Sequence, residues 1–299
     1  MALNIGKIDC TTNEQNTGLY GCAVAMKQIL FPILVKKGWS ISKLDEFDQE
    51  YFDEQVQKGI FTILPQPVTF DDESEETVYE TFDNGMKMFV RDGLVEYLPI
   101  FVGNLCLQKA LQSLSGTRKD LLLVDIAGNV YGAETPTTFK GFDLNLVQAE
   151  RQTLPSGAET GKIPFRIQFS ALGTQEWTKL ANFISGADFN ITSKMGVVDV
   201  LLETVSVNAG EIKLKALVAC DQTTPLEFFD EVSMWSVIQE SDGTPATISA
   251  VTFANGVYTI THDGTGAISV KLYDSNLNTN VVEAEGMYFQ SNELNITTT

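Results

Sequence analysis

Chemistry in this chain would have to run through very few residues. His262 is its one imidazole, so any Ser-His-Asp or Cys-His arrangement would need it. It falls between a strand and the Asp263-Gly264 turn, with no nucleophile elbow nearby. It reads as a turn-flanking surface histidine, because a general base needs a positioned partner. The four cysteines, Cys10, Cys22, Cys106 and Cys220, include no CxxC pair, and with one histidine they offer no zinc spacing. Such sparse usage predicts free thiols in a reducing cytoplasm. No Walker A loop or GxGxxG follows a strand, and the glycines at 128–132 and 264–266 fall in hairpins. Asp274, Asn276, Asn278 and Glu285 match positions 1, 3, 5 and 12 of a calcium loop. The glycine expected at the sixth position is Thr279 and the flanks read as strands, so a polar hairpin loop is expected. Among 39 acidic residues no carboxylate pair can be singled out for glycoside chemistry. Trp39, Trp177 and Trp235 are scattered and read as core packing. The expectation is no catalytic residue, no cofactor-binding residue and no metal ligand: a chain that is not an enzyme and carries no cofactor.

Charge narrows the classes further. The formal net charge is −19 and the pI about 4.3, the opposite of a phosphate-gripping or anionic-membrane-docking surface. Residues 188–299 carry 4 basic and 15 acidic groups, net −11; residues 1–187 carry 16 and 24, net −8. Met1–Cys10 lacks a basic start and an apolar run, so no signal peptide is expected. The longest apolar stretch, around Ile29–Val35, is broken by Pro32 and falls short of the ~20 residues a span needs.

The elements that would position any site are mainly strands. Asn13–Gly21 reads as loop and Ile29–Val35 as a buried strand. Ser42 with Asp45 makes a capping-box start, and Leu44, Phe47, Tyr51, Phe52 and Val56 then recur at helical spacing, predicting a helix over 42–58 that covers its own sheet. After the acidic run Asp71–Glu76, strands at Thr77–Phe82, Met86–Val90 and Leu94–Val102 are joined by Asp83-Asn84-Gly85 and Arg91-Asp92-Gly93, strong hairpin signals. Met86, Met88 and Phe89 read as core and edge packing. A helix over Asn104–Ser115, strands at Asp120–Ile126, Phe139–Gln148 and Ile163–Phe169, and a helix over Thr174–Ile184 complete the first part. Phe142, Leu144 and Leu146 are expected on one face.

A boundary is expected within the polar stretch Ser185–Gly196, giving domains 1–187 and 188–299. Beyond it come strands at Val197–Val205, Glu211–Ala219, Met234–Gln239, Thr247–Phe253, Val257–His262, Ala267–Tyr273, Val281–Phe289 and Glu293–Thr298. That count and spacing predict an immunoglobulin-like sandwich, with Trp235 as a candidate core aromatic. The fold class expected is mainly β (α+β): an antiparallel sandwich or barrel-like domain with flanking helices, then an Ig-like β-sandwich.

The hairpin at Thr77–Val90, the strand–helix step Leu94–Ser115, the paired strands Phe139–Gln148 and Ile163–Phe169, and the terminal module from Val197 together resemble the tail tube proteins of long-tailed bacteriophages, some of which carry an appended Ig-like domain. The resemblance is one of arrangement and has no diagnostic residue motif. It implies a virion structural protein, assembled in the host cytoplasm and located in the tail. Copies would close into rings, hexameric by that analogy, and stack as a tube. Partners would be further copies, other virion proteins and genomic DNA in transit without specific binding, with no membrane. Two alternatives stay open: another virion component (head–tail connector, capsid decoration or minor tail protein), and an Ig-like glycan-binding or adhesin-type module.

Overall fold

The structure is a computed structural model and describes residues 3, 5, 26–157, 160–184 and 189–297. The segment Asn13–Gly21, Cys10, Cys22 and residues 185–188 of the boundary stretch lie outside the described residues. The fold is mainly β, with three α-helices among the described residues. The chain divides into two compact units. The first comprises Met1–Tyr51 and Phe61–Ser193, the second Phe52–Ile60 and Lys194–Thr299.

The first unit holds β1 (Ile29–Lys36), β2 (Ser40–Ser42), the start of α1 (Gln49–Gln57), β3 (Phe61–Ile63), β4 (Thr69–Asp72), β5 (Val78–Thr81), β6 (Lys87–Arg91), β7 (Glu96–Val102), α2 (Leu105–Leu114), β8 (Lys119–Asp125), β9 (Val130–Glu134), β10 (Thr138–Lys140), β11 (Phe142–Ala149), β12 (Lys162–Phe169), α3 (Ala171–Lys179) and β13 (Ala181–Ile184). Its main sheet runs β2-β10-β9-β8-β11-β12-β7-β4, with β1 beside β8, β3 beside β1 and β13 beside β9. Strand β8 is the hub. It pairs β1 along its length, β11 at its start and β9 at its end, and Leu121–Val124 are buried throughout, as a central strand requires. In β12 the inward residues alternate as Ile163, Phe165, Ile167 and Phe169, all fully buried.

Helix α2 runs as its spacing predicts. Asn104 caps it by accepting from the amides of Cys106 and Leu107, and Leu107, Leu111 and Leu114 pack on the core. The other two helices differ from expectation. Ser42 is drawn into β2 opposite Thr138, so α1 starts at Gln49, with the Asp48 carboxylate accepting the Tyr51 amide at 2.8 Å. The predicted start was overridden by strand pairing. Helix α3 starts early, capped by Ser170, and ends at Lys179, because Ala181–Ile184 pairs with β9. In β11 a bulge between Leu144 and Leu146 turns Val147 inward where Leu146 was expected.

The second unit holds β14 (Val198–Asn208), β15 (Glu211–Val218), β16 (Trp235–Gln239), β17 (Ile248–Ala254), β18 (Val257–His262), β19 (Ala267–Leu272), β20 (Val281–Ala284), β21 (Met287–Ser291) and β22 (Leu294–Thr297). One sheet has six strands in the order β17-β18-β15-β14-β21-β20 and the other three, β16-β19-β22. The run β17-β18-β15-β14 with β16-β19-β22 matches the strand order of constant-type immunoglobulin domains, and β21-β20 extend the larger sheet beyond β14. Trp235 lies in the core, and its indole N–H donates to the Phe229 carbonyl at 2.8 Å. The predicted strand at 281–289 is instead the β20–β21 hairpin. It folds at Glu285-Gly286, both at positive φ, and β21 runs parallel to β14.

Candidate assembly interface

One feature of the first unit stays exposed among the described residues. Strands β5 and β6 form a two-stranded sheet of their own, apart from the main sheet, and every residue of both is exposed. The ribbon grows out of the main sheet. Strand β4 pairs β7 from Thr69↔Ile100 to Asp72↔Tyr97, and Glu73 and Glu75 then continue the ladder by donating to the carbonyls of Glu96 and Leu94. Beyond that the pairing passes to Tyr79↔Phe89, Glu80↔Met88 and Thr81↔Lys87. The tip is a three-residue loop, Asp83-Asn84-Gly85. The Phe82 amide bonds the Met86 carbonyl at 2.9 Å, the Gly85 amide bonds the Phe82 carbonyl at 2.8 Å, and Gly85 takes φ 79°. The hairpin forms where its turn residues predict.

The side chains on this arm correct one expectation. Met86, Met88 and Phe89 are not in a core: they are 61%, 51% and 54% exposed, and Tyr79 is 54% exposed. Val78, Phe82 and Val90 are exposed too. Strand periodicity could not reveal this, because it reports alternation and not whether a second layer covers either face. Tyr79 and Phe89 meet edge-on across the strands at 6.3 Å. A two-stranded ribbon alone is marginal in water, and this one exposes large apolar side chains on both faces.

The arm is held firmly at its base. Arg91 bonds the Glu75 carboxylate at 3.0 Å, and the Leu94 amide reaches the same oxygen at 3.4 Å. The Arg91 hydrogen bond, then the Leu94 amide, holds the Glu75 carboxyl below the usual carboxylate range. Gly93 has no room for a side chain, since a Cβ there would lie 1.9 Å from the Glu75 carbonyl oxygen. On the adjoining strand, Arg166 gathers Glu73, Glu96 and Glu150. Residues 69–93 carry eight acidic and two basic side chains, net −6, so an apolar tip stands on an acidic stem.

His262 is buried, not on the surface. It continues the inward alternation Tyr258, Ile260, His262 of β18, and its Nδ1 accepts the Gly264 amide at 3.1 Å. Burial lowers its pKa against the opposing Asp263 charge. Cys106 and Cys220 are disulfide-bonded, so neither is the free thiol expected. Pairing depends on proximity in the fold, which sequence spacing does not report. Asp274 uses one carboxylate oxygen on the amides of Asn276 and Leu277 and the other on Gln57, as a loop-stabilising residue. Trp39 packs edge-on to Phe61, and Trp177 packs against Tyr97, Phe142 and Phe169. Among the described residues no group of three His, Cys, Asp or Glu is arranged to hold a metal, and no helix is long and apolar enough to cross a membrane.

No protein-family model matches this chain, and no curated protein matches it either.

Sequence reasoning also missed a buried cluster in the second unit. Asp53, on α1, accepts from Lys194 at 2.6 Å and from the Tyr288 hydroxyl, and Gln57 donates to Asp274 and to the Val281 carbonyl. The segment Phe52–Ile60 therefore belongs to the C-terminal unit. The expectation that the helix only covers its own sheet is corrected for this half. Its acidic residues looked like a solvated face, and nothing in the local pattern marks Asp53 as the buried one.

Proposed function

We propose that this protein is a self-assembling structural component of a virion, a subunit of a phage tail tube, and that it catalyses no reaction. The observation that carries the reading is the β5–β6 arm, whose apolar side chains stay exposed among the described residues. The arm offers large apolar side chains on both faces: the register sets Tyr79 and Phe89 on one and Phe82, Met86, Met88 and Val90 on the other. The occupant we assign is a second copy, received at a surface other than the arm itself. A head-to-tail contact of that kind propagates into rings or stacks.

Two further features support the reading. An acidic protein lets DNA pass without adhering, as like charges repel. Disulfides such as those of Cys106 and Cys220 persist at virion and cell surfaces. The Ig-like unit would decorate the assembly. Negative-stain microscopy with sedimentation velocity of the purified chain is the test. Rings or tubes that are lost when Tyr79, Met88 and Phe89 are replaced by serine are expected. A strictly monomeric wild-type chain at high concentration would overturn the proposal.

A further inference from the structure

Lys194 is buried in the C-terminal unit with very little to hold its charge. Its side chain is 6% exposed, yet Nζ makes one hydrogen bond, to Asp53 Oδ1 at 2.6 Å. Its other neighbour is the face of the Tyr288 ring, 5.5 Å from Nζ to the centroid. An ammonium carries three donors, and burying one with two unfilled is costly. The Asp53 side chain is itself only 15% exposed. Its Oδ1 also accepts from the hydroxyl of Tyr288, which is fully buried. Burial and then the Asp53 carboxylate keep that hydroxyl protonated far above the usual tyrosine range, so it remains a donor.

We propose that Lys194 and Asp53 are joined by an intramolecular isopeptide bond. A carboxyl C–O bond is ~1.2 Å long, so Nζ lies within about 3.8 Å of Asp53 Cγ, close to the distance of a near-attack arrangement. Within the pair, the ammonium passes one proton to Oδ1, which leaves a neutral amine beside a neutral acid. The nitrogen lone pair attacks Cγ and the Cγ–Nζ bond forms. A second proton moves from Nζ to Oδ1, the Cγ–Oδ1 bond breaks, and that oxygen leaves as water. Both protons of the water come from the lysine, Oδ2 becomes the amide carbonyl, and no oxidant or co-reactant is needed. Tyr288 holds Oδ1, the oxygen that departs, through its hydrogen bond, and so orients the carboxyl with Cγ towards Nζ. The product has no charge, which removes the cost of keeping the ion pair out of water. The bond would tie together residues 141 positions apart in sequence.

Mass spectrometry of the intact, folded full-length protein under reducing conditions tests this directly. The expected mass is about 18 Da, one water, below that of the sequence. Tryptic mapping should yield a branched peptide joining Lys194 to Asp53, with no cleavage after Lys194. Lys194→Arg keeps the cation but cannot form the amide, and Asp53→Ala removes the carboxyl; both should show the full mass. A wild-type chain at full mass that is folded by circular dichroism would overturn the proposal. So would water loss mapping to Asp92-Gly93, Asp242-Gly243 or Asp263-Gly264, where cyclisation to a succinimide gives the same intact mass.

Discussion

Replacing Phe89 by serine should separate assembly from folding. The Phe89 side chain is 54% exposed, and its ring contact is with Tyr79 across the hairpin. About 100 Å² of it is free to be covered by a partner, taking ~200 Å² for a whole phenylalanine. At ~25 cal/mol per Å², covering that area contributes about 2.5 kcal/mol per contact, or about 70-fold in dissociation constant. The same substitution removes little burial within the monomer, so its melting temperature should stay within a few degrees of wild type. Sedimentation velocity across a concentration series measures the first quantity, and thermal unfolding of the dilute monomer the second. Unchanged association would refute the assignment of the arm as the interface. A large fall in melting temperature without loss of association would show that the arm packs within its own chain.

Gly93→Ala should disorder the base of the arm, because its Cβ meets the Glu75 carbonyl oxygen. The expected cost is about 1–3 kcal/mol, read as new protease cleavage between residues 73 and 95. Asp125→Ala should lower stability by about 3 kcal/mol or more, since its fully buried carboxylate accepts from the amides of Ala127 and Asn129, the Asn129 side chain and the Tyr131 hydroxyl. Chemical denaturation would measure it, and a loss below ~1 kcal/mol would argue against that network. His262 makes stability depend on pH. Burial lowers its folded pKa below the ordinary 6.5, so the unfolded chain binds the extra proton first. Stability from this group is fully present above 6.5 and declines as pH falls from there towards the folded pKa. His262→Leu should flatten the slope of denaturation midpoints between about pH 7 and about pH 5.5.

Where local chemistry decides an element, the residues announce it. Asp83-Asn84-Gly85 specifies its turn whatever lies around it, and Asn104 with the Leu107, Leu111, Leu114 stripe specifies α2 at both ends. The alternating strands and turn glycines after 196 were enough for an immunoglobulin-like sandwich. Tertiary competition was not visible. Ser42 is a good cap in isolation, but pairing with Thr138 claims it for a strand. Exposure was hidden for the same reason. The sequence Met86-Lys87-Met88-Phe89 has the same pattern whether or not a second layer covers it, so the arm looked like core. The Asp53–Lys194–Tyr288 cluster is assembled from three distant segments, and each residue is unremarkable in its own neighbourhood.

The membership of Phe52–Ile60 in the C-terminal unit also sets a schedule for synthesis. Asp53 leaves the ribosome 235 residues ahead of Tyr288, its partner. At ~5–20 residues per second that interval is about 12–47 seconds. Through it, the second half of α1 must wait with Phe52, fully buried in the finished protein, lacking the module it belongs to. The first unit cannot seal this segment into its own core without withholding it from the second. Nascent chains would therefore be most vulnerable to misassembly between completion of the first unit and emergence of β21.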